Sequence, residues 1–252
     1  MTKIILSGAL GRMGRAVTAA AIERGDMTVI AGIDPMGGDA GYPLYASVGE
    51  IPADCTADAI IDFSHHTALP ALLEFAIARN LPIVVATTGH DEAELAAMNA
   101  AAKRIPVFYS RNMSLGINLL IELCRRAAST LGTGFDVEII ERHHNRKLDA
   151  PSGTALMLAD AIAEVREESE YVYDRHAVRR QRDPREIGIH AVRGGTIVGE
   201  HEVMFAGRDE VVTLSHSAAS REVFATGALA AAAWLPGKAA GMYAMGDMVA
   251  EM

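Results

Sequence analysis

The chain has 252 residues, of which 50% are hydrophobic and only 5% aromatic, and it carries a formal net charge of −9. That length and apolar content suit one large or two modest domains with ample core, and exclude intrinsic disorder. The acidic balance and scarce aromatics argue against a nucleic-acid surface. Cys55 and Cys124 are the only cysteines, too few for a disulfide framework or a cysteine zinc site.

The opening "MTKIILSGALGRMG" has an apolar run too short for a signal peptide and leads into a glycine loop. No segment is apolar for long enough to span a bilayer, so the expected location is the cytoplasm. Residues 3–7, 27–33, 59–63, 82–87 and 106–110 read as strands, most of them nearly continuous in apolar residues, as buried parallel strands are. Between them, residues 12–24, 68–79 and 92–103 are Ala-rich and helix-friendly, while 34–54 reads as a long Gly- and Pro-bearing loop. The alternation predicts an α/β fold class: a doubly wound, Rossmann-type dinucleotide-binding domain. From residue 113 the pattern changes. A helix over 114–130, a strand over 135–144 and a helix over 152–166 are followed by a charged region and by β-like runs at 187–193, 196–206 and 210–216. These predict a second, α+β domain. Residues 221–235 are helical again, and periodicity leaves open whether this tail returns to the first domain.

The loop "SGALGRMG" follows the first strand and opens the first helix, with Ala9, Gly11 and Gly14 in a relaxed dinucleotide spacing and Gly8 beside them. Glycine lets backbone approach a pyrophosphate, whose charge meets the N–H groups of the helix start. A tight strand-to-helix turn would also favour glycine. Context favours the dinucleotide, because the second strand ends at Asp34, where an acid accepts hydrogen bonds from an adenosine ribose. A carboxylate there repels a 2′-phosphate, and Pro35 follows instead of an arginine, so the cofactor leans toward NADH over NADPH. Arg12 and Arg15 could still receive a phosphate. "ATTGHD" and "SRNMSLGIN" follow the fourth and fifth strands, where ligands of such sheets bind. Simple helix capping by Thr88 or Ser114 is an even alternative.

The stretch "ERHHNRKLDAPSGTA", residues 141–155, gathers His143, His144, Arg142, Arg146 and Lys147. A metal site using Glu141, His143, His144 and Asp149 is disfavoured by the three neighbouring cations. Ser152 suits an N-cap, and Gly153 and Thr154 then present helix-start N–H groups to an anion. With Lys147 and a histidine they would receive carboxylates. His143 or His144 could donate a proton, since imidazole titrates near neutrality. The two halves together suit a carboxylate-bearing hydride acceptor.

The set "GALGRMG", "ATTG", "NMSLGIN", "ERHHNRKLDAPSGTA" and "IGIHAVRGGTIVGEH" resembles the 4-hydroxy-tetrahydrodipicolinate (dihydrodipicolinate) reductase family over essentially the whole chain. The resemblance implies a dinucleotide domain over 1–112 completed by the tail 222–252, and a substrate and tetramerisation domain over 113–221. It implies reduction of a cyclic imine dicarboxylate by NADH or NADPH, with loss of water, in diaminopimelate and lysine synthesis, by a homotetramer. His143 matches the proton donor and Lys147 the catalytic lysine; His144, Gly153 and Thr154 match substrate-binding positions. Gly8, Ala9, Leu10, Gly11, Arg12, Met13, Asp34, Ala86, Thr87, Thr88, Ser110, Arg111, Asn112 and Met113 match cofactor positions. Two departures stand out: Ala86 replaces a usual glycine, and an aromatic common at the Met113 position is absent. Hinge closure near residues 112–115 and around Ser220 would assemble the site.

Two other readings compete. An aspartate dehydrogenase shares the glycine loop but leaves "HHNRKLDAPSGT" without a role. An NADH-sensing Rossmann protein needs no proton donor, and no basic helix-turn-helix is visible. His65 and His66 are expected in a loop near the cofactor, and His190, His201 and His216 as packed or hydrogen-bonded residues of the second domain. Arg193 with Gly194 and Gly195 reads as a turn whose charge could help hold a carboxylate, and Trp234 as a core anchor.

Overall fold

The structure is a computed structural model that describes residues 1–252. In chain order the first part carries Thr2–Ser7 (β1), Arg12–Arg24 (α1), Met27–Ile33 (β2), Leu44–Tyr45 (β3), Ala59–Asp62 (β4), Leu69–Arg79 (α2), Ile83–Val85 (β5), Glu92–Ala101 (α3) and Pro106–Tyr109 (β6). Next come Leu115–Leu131 (α4), Asp136–His143 (β7), Gly153–Ala163 (α5), Glu170–Val172 (β8), Glu186–Arg193 (β9), Gly199–Ala206 (β10) and Val211–Ala218 (β11). The tail carries Glu222–Trp234 (α6), Gly241–Tyr243 (β12) and Met245–Ala250 (α7). Two compact units result: Met1–Leu115 with Glu222–Met252, and Gly116–Arg221.

The first unit is built on a seven-stranded sheet in the order β12-β6-β5-β4-β1-β2-β3, parallel throughout. Its strands are apolar in continuous runs because both faces are covered. Ile4, Leu6, Ile61, Val84 and Phe108 face α1, α6 and α7, whereas Ile5, Ile60, Ile83, Val85 and Val107 face α2 and α3. The order reverses direction between β1 and β4, which opens a ligand crevice at their C-terminal ends. Residues 34–54 are not wholly irregular. β3 pairs with β2, and the loop backbone around it is tied by Gly32 N–H to the Pro43 carbonyl and Asp34 N–H to the Tyr45 carbonyl, both 2.9 Å.

The second unit has a five-stranded sheet, β11-β10-β7-β9-β8, with β7, β8 and β9 parallel and β10 antiparallel to both neighbours. β8 lies within the charged region that periodicity left without an element. Both helices, α4 and α5, pack on the face carrying Val137, Ile139, Val203 and Phe205. On β7, Val137, Ile139, Glu141 and His143 are buried, in strict alternation. Glu141 and His143 therefore point to the helix side of the sheet, which decides their chemistry.

Candidate active site

In the first unit the crevice is lined by the turn after β1. Gly8 adopts φ +74°, and a Cβ there would lie 2.5 Å from the Phe63 carbonyl oxygen at the end of β4. A Cβ on Gly14 would collide with the Gly8 carbonyl and stand 2.6 Å from that of Ala9. Glycine at both positions is what lets helix α1 start hard against the strand ends. Its N-cap, Gly11, offers no side-chain cap, and no acid occupies the first turn. Those N–H groups suit a phosphate. Asp34 is buried, and its two carboxylate oxygens accept the backbone N–H groups of Leu10 (3.0 Å) and Met36 (3.1 Å). The acid thus fixes the glycine loop from the end of β2. Leu10 and Met13 are partly buried and Arg12 is exposed, whereas Ala9 belongs to the core.

The loop after β5 is held by a buried carboxylate. Asp62 accepts the Thr87 hydroxyl at 2.8 Å and both the N–H and the hydroxyl of Ser64, at 3.0 and 2.5 Å. The Ala86 N–H reaches the Asp62 carbonyl at 3.0 Å, and its methyl packs in the core. Thr88 is exposed and does not cap α3. Asp91 does so, in a reciprocal capping box with Glu94. Burial works to raise the Glu94 carboxyl, but His66, the Asp91 N–H and His90 outweigh it and hold it below its ordinary range. After β6, the Ser110 hydroxyl donates to the Asn112 carbonyl at 2.8 Å, and the Asn112 side chain accepts the Ser114 N–H at 2.9 Å. Arg111 is exposed in this turn, and Met113 is a core residue at 3% exposure.

In the second unit, Glu141 is the organising group and is completely buried. Its Oε2 meets His143 Nδ1 at 2.6 Å and Arg193 Nη1 at 2.7 Å. Its Oε1 accepts Arg193 Nη2 at 2.6 Å and the Ser152 N–H at 3.0 Å. Burial acts to raise the Glu141 carboxyl, yet Arg193, His143 and the Ser152 N–H together hold it below the usual carboxylate value. Ser152 caps α5, its hydroxyl accepting the Ala155 N–H at 3.2 Å, as the Pro-Ser-Gly-Thr step predicts. Gly153 and Thr154 form the first turn of that helix. The Ser152 hydroxyl also meets His201 Nε2 at 3.0 Å, and the His201 ring stands at 75° to that of His143, 5.2 Å between centroids. Burial, and next the charge of His143, push His201 down to about 4.

His144 has a buried Nδ1 without a hydrogen-bond partner. Burial lowers its pKa, and the charges of Arg221, Arg146, His143 and Lys147 lower it further. Lys147 pairs with Asp149 at 2.8 Å, and Asp149 is 61% exposed on its side chain. The structure thus brings His143, His144, Lys147, Gly153 and Thr154 to one end of β7. It adds three residues with other expectations attached. The sequence offers Glu141 only as a metal ligand, Arg193 as a turn residue whose charge could help hold a carboxylate, and His201 as a packed or hydrogen-bonded histidine. The signal that could have found Glu141 is its spacing of two from His143, which puts both on one face of a strand.

A parallel sheet with a glycine cradle at its switch point, and a second sheet carrying a histidine held by a buried carboxylate, define a two-domain pyridine-nucleotide reductase. The chain belongs to the dihydrodipicolinate reductase family: the N-terminal family model matches residues 2–113 and the C-terminal model residues 116–249. The 4-hydroxy-tetrahydrodipicolinate reductase of Caldanaerobacter subterraneus is 53% identical over 250 residues, 99% of this chain and 98% of that protein. That of Clostridium novyi is 43% identical over 251 residues, covering 99% and 98%. Among solved structures, dipicolinate-bound dihydrodipicolinate reductase from Paenisporosarcina sp. superposes with a TM-score of 0.81 at 23% identity, over 97% of each chain. Aspartate dehydrogenase from Thermotoga maritima shares the fold alone, with a TM-score of 0.53 at 12% identity over 95% of this chain and 98% of that one.

Proposed function

We infer that this chain reduces 4-hydroxy-tetrahydrodipicolinate to tetrahydrodipicolinate, with loss of water, in diaminopimelate and lysine synthesis. The observation that carries this reading is a proton donor fixed next to an anion-receiving helix start: His143 and the Ser152 N–H share one buried carboxylate. A reduced nicotinamide bound in the glycine cradle would supply hydride chemistry toward the conjugated imine. His143 supplies the proton that neutralises the reduced ring, with Lys147 as the second candidate donor. Lys147, His144 and the Gly153 and Thr154 positions hold the two carboxylates. The orphaned Nδ1 of His144 and the cationic surroundings that depress it both favour a dianion. Asp149, whose side chain is 61% exposed, would give up Lys147 to the substrate at modest cost.

The glycine cradle fits the cofactor's pyrophosphate, and the loops around Gly8 to Met13, Asp34, Ala86 to Thr88 and Ser110 to Met113 are proposed to hold the rest. Ala9, Ala86 and Met113 would do so through backbone or by shaping the floor, because their side chains are in the core. NADH is the preferred form, since Asp34 would face the adenosine ribose and a 2′-phosphate would meet its carboxylate. The enzyme is proposed to act as a cytoplasmic homotetramer, with the sheet face opposite α4 and α5 as the assembly surface. In support, that face has no helix of its own unit over it, and its edge residue Val211 is 58% exposed.

The test is loss of nicotinamide absorbance when the protein meets freshly made 4-hydroxy-tetrahydrodipicolinate, with NADH and NADPH in parallel. Oxidation of both, with the higher kcat/KM for NADH, is expected. Nicotinamide binding without oxidation would remove the reductase reading, and a higher kcat/KM for NADPH would remove the role given to Asp34.

A further inference from the structure

Resting on the reading of His143 as the proton donor, we propose that Glu141 and Arg193 are positioning residues that set its tautomer and its distance from the anion-receiving helix start. Glu141 lies two residues before His143 on β7, and Arg193 lies opposite His143 in the β7–β9 register. All three side chains share the covered face of the sheet. Arg193 makes a two-pronged pair with Glu141, and its Nη2 also donates to the Asp149 carbonyl at 2.8 Å. Both Nη groups are therefore spent on the protein's own groups, while the buried Nε has no partner, and the link from Arg193 to His143 runs through Glu141.

The carboxylate in turn has each oxygen doubly engaged. An ionised carboxylate only accepts, so its 2.6 Å contact places a proton on His143 Nδ1. The transferable position is then Nε2. That atom lies over Gly199, where a Cβ would stand 3.1 Å away, so glycine leaves its approach clear. The other oxygen takes the Ser152 N–H, which anchors the α5 start to the same group. One buried carboxylate, made tolerable by one guanidinium, thus fixes both which nitrogen of His143 reacts and where the substrate's charge sits relative to it.

Three variants and one spectrum test this. Nitrogen-15 NMR of the histidines in the wild-type protein should show His143 protonated at Nδ1. In E141Q that preference should be lost, because a carboxamide accepts or donates equally well. kcat should fall at least tenfold, toward the roughly 10²- to 10⁴-fold loss of a removed general acid. R193K, which keeps the charge without the fork, should fall in between. A merely structural pair would lower thermal stability and leave both the tautomer and kcat per folded molecule untouched. A neutral wild-type His143 protonated at Nε2 and bare at Nδ1 would overturn the proposal even if E141Q did not fold. H143A separates the two levels of inference. If H143A keeps wild-type kcat, the donor reading falls and this proposal falls with it. If H143A is impaired and E141Q is not, the proposal alone is overturned.

Discussion

His201 shows how one side chain couples the site to stability. Its ring is wedged between the Ser152 hydroxyl and His143, and burial followed by the charge of His143 pushes it down to about 4. In the unfolded chain it titrates near the ordinary imidazole value of about 6.5. Between those limits the unfolded state binds more protons than the folded one, so stability rises with pH and is lost as pH falls from about 6.5 toward 4. At pH 5 the loss from this residue comes to about 2 kcal/mol. Urea unfolding at pH 7 and pH 5 should therefore show a smaller difference for H201Q than for the wild type. Equal differences would mean that His201 protonates without strain. At this scale the sequence displayed His143, His144, Lys147 and the Ser152 cap, because all four lie within one short stretch. It displayed Arg193 only as a turn residue whose charge could help hold a carboxylate, and His201 only as a packed or hydrogen-bonded histidine, because their partners are set by strand register. Arg193 stands beside His143 across β9, and His201 beside Glu141 across β10.

Helix α6 returns the chain to the seven-stranded sheet, and Gly227 lies hard against the loop that follows β6. A Cβ there would collide with the Met113 carbonyl and stand 3.0 Å from Met245 Cε. Alanine is favoured over glycine within a helix by about 1 kcal/mol. Overpacking against a backbone carbonyl costs about 1–3 kcal/mol, and a carbonyl in a tight loop cannot swing aside as a flexible side chain can. The steric cost should win, and G227A should melt several degrees below the wild type. The single tryptophan, Trp234 on the same helix, provides the fluorescence signal, since it lies against Phe108 and Tyr243. An unchanged or higher melting temperature would show that the loop after β6 gives way. Most elements of this sheet could be read from sequence. α1 and β2 coincide with their expected residues, because an Ala-rich helix ending in a left-handed Gly25 and an unbroken apolar run leave little choice. β3, β8 and β12 could not be read, being two or three residues long and, unlike the equally short β5, not set in a run of β-branched residues. Such segments carry no period and become strands only by pairing with a neighbour.

At the scale of the chain, the first unit is completed only by its last residues. α6 and α7 supply Ala225, Ala228, Leu229, Ala232, Met245 and Met248 to one face of the parallel sheet, and β12 pairs with β6 at its edge. Periodicity showed that the tail is helical but not which sheet it covers, because an apolar helix face has no address in sequence. The arrangement gives the nucleotide domain a dependence that its N-terminal position hides. A chain ended at residue 221 keeps the glycine loop, Asp34 and every proposed cofactor residue, yet uncovers Ile61, Val84 and Phe108. Exposed apolar surface of that extent promotes association, and β6 without β12 becomes an open edge strand. The truncated chain should aggregate or lose cooperative unfolding and should not bind NADH, as followed by nicotinamide fluorescence. NADH binding at wild-type affinity by the truncated chain would show that β1 to β6 and α1 to α3 suffice, and that the tail covers the sheet without supporting it.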